Sequence, residues 1–125
     1  GSPDMRLVIS VLFALVLISL PLTAVAKEGP MELPAGSDKG ANMHNKAGIK
    51  HWGMGHADEA YKHFKEASAA DGAIAETHFN EAVALDALGD HGAATMHFKV
   101  AKKLASKSGN KKILSSPILN GHVGH

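Results

Sequence analysis

The sequence contains no cysteine, which excludes disulfides, thiolate metal sites and thiol nucleophiles. It has one tryptophan, one tyrosine and a formal net charge of only +1. Without a basic face, nucleic acid is not an expected partner. No GxxxxGK loop is present to cradle phosphates. Paired carboxylates, a Ser/His/Asp set and a metalloprotease motif are equally missing, so the chain is not expected to be an enzyme. Proline is absent from Ala41 to Ser106, and no strand-like alternation occurs after residue 26.

Long apolar runs are also scarce, and the one that stands out is Leu7 to Leu20. Arg6 precedes it and Pro21 follows, with the small residues Ala24 and Ala26 just beyond. This pattern predicts a secretory signal over residues 5–26, cut after Ala26. The alternative is a retained anchor, because Leu7 to Ala26 is about the 20 residues that span a bilayer. Residues 1–4, GSPD, read as an expression scar. Removing residues 1–26 takes away Asp4 and Arg6, one charge of each sign. The remaining chain, Lys27 to His125, suits one small domain working in a periplasm or an equivalent exported lumen, with no membrane contact after cleavage.

Residues 27–40, KEGPMELPAGSDKG, are rich in Pro and Gly and read as a flexible leader. The alanine-rich stretch that follows has helical periodicity. Ala57, Ala60, Tyr61, Phe64, Ala67 and Ser68 share one face, as do Ile74, His78, Ala82, Leu85 and Leu88, and also Ala94, Phe98, Ala101 and Leu104. Breaks at Gly53/Gly55, Asp71/Gly72, Gly89/Asp90 and Ser108–Asn110 predict four helices, with Asp71 a candidate N-cap. Such short corners force neighbouring helices to run antiparallel.

Shifted by 34 residues, the chain matches itself. Ala41 falls on Ala75, His44 on His78, Gly48 on Ala82, Met54 on Leu88, Gly55 on Gly89 and Ala60 on Ala94. His63 falls on His97, Phe64 on Phe98, Lys65 on Lys99 and Ala67 on Ala101. This period, with small residues at 48/82, 60/94 and 67/101 and a glycine corner at 55/89, resembles the tetratricopeptide repeat family. The early aromatic of the first helix is replaced by His44 and His78, its usual leucine by Ala47 and Glu81, and the closing proline is absent. The resemblance implies an all-α fold. Two antiparallel helix hairpins would occupy 41–107, followed by a short, partly helical cap at 108–125. It also implies a groove that holds another protein, faced by Asn42, Asn45, Ile49, Trp52, Glu76, Phe79, Val83 and Asp86.

The chain has nine histidines. Stretches such as GHADEAYKHFKEA also resemble small His-rich metal-binding proteins of bacteria. His44/His51 and His56/His63 are each seven apart, about 10.5 Å along a helix. Neither pair can chelate an ion with bonds of about 2.0–2.1 Å without a third element. His122 and His125 have chelating spacing but lie in the tail. His63 and His97 are candidates to meet across stacked repeats. The densest donor set is HWGMGH, where His51, Met54 and His56, beside Trp52, form the candidate metal site for Cu, Ni or Zn. Gly55 and Met54 also have structural readings, as a positive-φ corner and a packing residue equivalent to Leu88.

Two repeats with a weak cap leave open ends, because repeat arrays usually need three units. Self-association is therefore expected, as a homodimer or higher oligomer. The leading functional expectation is an exported, non-enzymatic adaptor that assembles other exported proteins. A metal-binding role is the alternative.

Overall fold

The computed structural model describes residues 28–124. The predicted signal or anchor over residues 5–26 lies outside that range, as do residues 1–4, Lys27 and His125. The described residues are all helical apart from connections, in six helices: α1 (Lys39–Gly53), α2 (Ala57–Ala70), α3 (Ala75–Ala87), α4 (His91–Ser108), α5 (Lys111–Leu114) and α6 (Pro117–Val123). Among them no helix is long and apolar enough to cross a membrane.

Helices α1 and α2 form an antiparallel hairpin, since His44 meets Glu66 at one end while His51 meets His56 at the other. The same logic pairs α3 with α4, where His78 meets His97 and Asp86 meets His91. Both corners turn on a glycine with positive φ, Gly55 at 80° and Gly89 at 86°. At the first corner His56 N–H donates to His51 O and Gly55 N–H to Trp52 O. At the second, Asp90 N–H donates to Leu85 O and Gly89 N–H to Asp86 O. These 6→1 and 5→2 bonds satisfy helix-end carbonyls that would otherwise be orphaned. Met54 and Leu88, expected to pack, are instead about half exposed at these corners (49% and 47%). They directly precede the left-handed glycine, where the chain leaves the helix and its apolar face. Asp71 also differs from expectation. It closes α2 and accepts from Ala73 N–H at 3.0 Å, while α3 starts after Ile74 without a side-chain cap.

The core joins Phe79 and Phe98 edge to face at 5.7 Å with Ala82, Val83, Leu85, Ala94 and Ala101. Phe64 fills the first hairpin and is fully buried. It sits so close to α1 that a Cβ on Gly48 would come within 2.4 Å of Phe64 Cε1. Gly48→Ala is therefore expected to destabilise the protein by about 1–2 kcal/mol, the cost of overpacking less the helix-propensity gain. A denaturant midpoint equal to or above that of the parent chain would contradict this packing.

The two termini of the described chain are more ordered by contacts than their composition suggests. Residues 28–38 form no helix, as a Pro/Gly-rich leader should, yet Met31 and Leu33 are buried. At the other end, the side chains of Asn110 and Ser116 accept from Ile113 N–H and Leu119 N–H. These caps start α5 and α6, and Ile113 and Leu119 are then fully buried in the core cluster of α3 and α4. The tail thus covers one end of the helix pairs.

Candidate functional site

Antiparallel hairpins bring together residues equidistant from the corner. In α3/α4 this places His78, Glu81 and His97 side by side, with one ligand atom of each lying within 4.8 Å of the others. His97 Nε2 is 3.3 Å from Glu81 Oε2, and His78 Nδ1 is 4.0 Å from Glu81 Oε1. Glu81 is only 2% exposed. Its Oε1 and the Nδ1 atoms of His78 and His97 are buried without a hydrogen-bond partner. His78 Nε2 lies 2.9 Å from Gly72 O. A carbonyl only accepts, so the proton sits on Nε2 and the Nδ1 lone pair is left facing the carboxylate. Metal-bound imidazoles are commonly oriented this way, their distal N–H held by a backbone carbonyl. A tetrahedral ion with bonds of about 2.0–2.1 Å holds its ligand atoms about 3.3 Å apart, so modest rotations would close the set.

The first hairpin has an equivalent histidine pair. His44, His63 and Glu66 also place ligand atoms within 4.8 Å, and His44 Nδ1 contacts Glu66 Oε2 at 2.8 Å. Here the carboxylate comes from α2 rather than from the first helix, and Glu66 is exposed. A third group, Asp86, His91 and His122, differs because its atoms already pair among themselves. His91 Nδ1 and His122 Nε2 lie 2.7 and 3.0 Å from the same Asp86 oxygen, and His122 Nδ1 is 2.8 Å from Thr95 Oγ1. That group clasps α6 onto α3 and α4.

The sequence-predicted metal residues take a different arrangement. His51 stacks on His63 with ring centroids 5.2 Å apart and lies 6.1 Å from the His56 ring, while Met54 projects from the corner. The two seven-residue pairs interleave as His44–His63–His51–His56 along the seam of α1 and α2, so the opposing helix supplies the third element. His63 and His97 each meet a histidine of their own hairpin rather than one another.

Of the residues predicted to face a partner protein, Asn45, Phe79 and Val83 are buried. Phe79 and Val83 share a cluster with Met31 of the leader, and Asn45 Nδ2 donates to Met31 O. Asn45 is occupied by the chain's own N-terminal segment, and Phe79 packs on Phe98 inside the core. Ile49 packs half-buried against the Phe64 cluster, and Asn42 is half-buried. Glu76 accepts from Asn110 Nδ2. Trp52 and Asp86 line a cavity of about 560 Å³ with Glu28, Val83, Ala87, His91, Pro117 and Ile118.

Comparison with protein-family models, with curated proteins and with solved structures returns no match for this chain.

Proposed function

We propose that this protein binds a divalent transition-metal ion at His78, Glu81 and His97, with His44, His63 and Glu66 as a second, wetter set. The observation that carries this reading is Glu81, a carboxylate buried against two imidazoles with one oxygen unpartnered. Burying a charged group without full pairing is costly, and buried unpartnered polar atoms are rare in native proteins. An ion facing His97 Nε2 would account for two such atoms together, His78 Nδ1 and Glu81 Oε1. Two nitrogens and one oxygen suit Zn(II), with Ni(II) and Cu(II) as competitors, and leave a coordination position open. The apolar run at residues 7–20 supports an exported location, and we read the role as holding or delivering the ion.

Titration of the chain with Zn(II) should reveal at least one site with Kd below micromolar, and Co(II) should give tetrahedral d–d absorption. Affinity should fall on acidification, because protons compete for the imidazole nitrogens. Binding weaker than about 100 µM for Zn(II), Ni(II) and Cu(II) alike, a loss of about 2.7 kcal/mol or more against the expectation, would reject this reading.

The second reading is a tetratricopeptide-like adaptor. The 34-residue self-match supports it, as does a groove built to hold an extended segment.

A further inference from the structure

The segment that covers the predicted groove is bound as a peptide would be. Asn80 Oδ1 accepts from Met31 N–H at 2.7 Å, and Asn80 Nδ2 donates to Met31 O at 2.7 Å. Asn45 Nδ2 donates to the same carbonyl at 3.0 Å, and Asn80 Nδ2 donates to Asn45 Oδ1 at 2.7 Å. One side-chain amide thus meets both main-chain groups of Met31, as a neighbouring strand would. Both asparagines are fully buried. Side chains alternate along the segment, with Met31 and Leu33 inward and Glu32 and Pro34 outward. That is the period of extended chain. Glu28 adds a contact at the far end, accepting from Ile118 N–H at 3.0 Å.

The strap joins α1 through a short exposed turn. Gly36 has φ +85°, and Ser37 donates from both N–H and Oγ to Pro34 O. Asp38 then caps α1. The bound segment thus reaches α1 through this exposed turn, and beyond the turn the two meet where Asn45 of α1 donates to Met31 O.

We propose that the strap is exchangeable, so that residues 28–34 of a second copy occupy this groove and two chains strap each other reciprocally. The groove complements this segment, and every copy carries it. The hydrogen bonds that Asn45 and Asn80 make with Met31, and that Glu28 makes with Ile118, form equally well in cis and in trans, so only the turn at 34–38 and the entropy of association distinguish the two states. This goes beyond the metal reading and does not depend on it.

Shortening the turn tests the proposal. Deleting Ala35 and Gly36 removes about 7 Å of reach together with the left-handed turn, which disfavours docking in cis and leaves docking in trans available. Light scattering on the full chain should then give the mass of two chains with the helical circular dichroism retained. Adding Asn80→Ala should dissociate that dimer. A shortened chain that stays monomeric overturns the proposal, as does a dimer indifferent to Asn80→Ala. A shortened chain that loses its helix even at millimolar concentration also overturns it, because a strap in trans would have restored the fold. A folded monomer that binds an added peptide of residues 27–35 would instead assign the groove to other extended peptides.

Discussion

Asn80→Ala is expected to lower the unfolding free energy by about 2–6 kcal/mol, from about 1–3 kcal/mol for each of two buried polar groups left without a partner. Two groups lose their only described partner, Met31 N–H and Asn45 Oδ1, while Met31 O keeps its bond from Asn45. For a domain of this size the melting temperature should fall by roughly 10–30 °C. Asn80→Asp sharpens the test although it is nearly isosteric. It keeps an acceptor for Met31 N–H but turns a carboxylate oxygen toward Met31 O and Asn45 Oδ1, and it buries a charge. The aspartate variant should therefore be no better than alanine. Lys46→Ala, on the exposed face of α1, serves as the control and should stay within about 0.5 kcal/mol of the parent. Thermal unfolding by circular dichroism gives all three values. An Asn80→Asp variant with parental stability would mean that the amide does not hold the strap.

Glu81→Met should separate stability from function in opposite directions. The glutamate is 2% exposed, with one oxygen unpartnered by the protein. Replacing a whole buried ion pair with apolar groups is commonly neutral or stabilising by about 1–4 kcal/mol, and removing one partner is costly only where it strands a charge. The groups left here are imidazoles, which without the carboxylate carry no obligatory charge. The metal-free variant should thus melt at or above the parental temperature. Metal affinity should fall by about 100-fold or more, since even the outer partners of metal ligands are commonly worth 10–100-fold. The stabilisation that Zn(II) confers on the parent should shrink accordingly, because a ligand stabilises in proportion to the logarithm of its concentration over Kd. Calorimetric scans with and without Zn(II) read both effects. A destabilised variant that still binds Zn(II) at parental affinity would make Glu81 a structural residue.

The all-helical architecture was legible because its signals are local. Period-3.6 stripes and the two glycine corners lie within single hairpins, and Gly55 and Gly89 take the positive φ that their positions called for. The C-terminal cap was only half legible. Ile113 and Leu119 looked too few to seal an end, and the caps at Asn110 and Ser116 that turn them inward lie between lysines and serines that read as tail. For the histidines, a usable signal was present. His44/His63 and His78/His97 are each centred on a corner, so an antiparallel hairpin had to bring the members of each pair together. Donors adjacent in sequence crowd into HWGMGH, and that density points away from the pairs the fold brings together.

The sequence by itself determined where helices start and stop and how each folds back on the next, because capping, glycine conformation and apolar period act over a few residues. Only the tertiary structure decided that Glu81 joins His78 and His97. Glu81 stands where the repeat pattern has leucine, and its burial follows from the closeness of α4. Tertiary structure likewise decided that Met31 docks on Asn80, 49 positions away. A buried asparagine and a half-wet one look the same in a sequence. They differ only in whether another part of the chain arrives to replace water at their polar atoms.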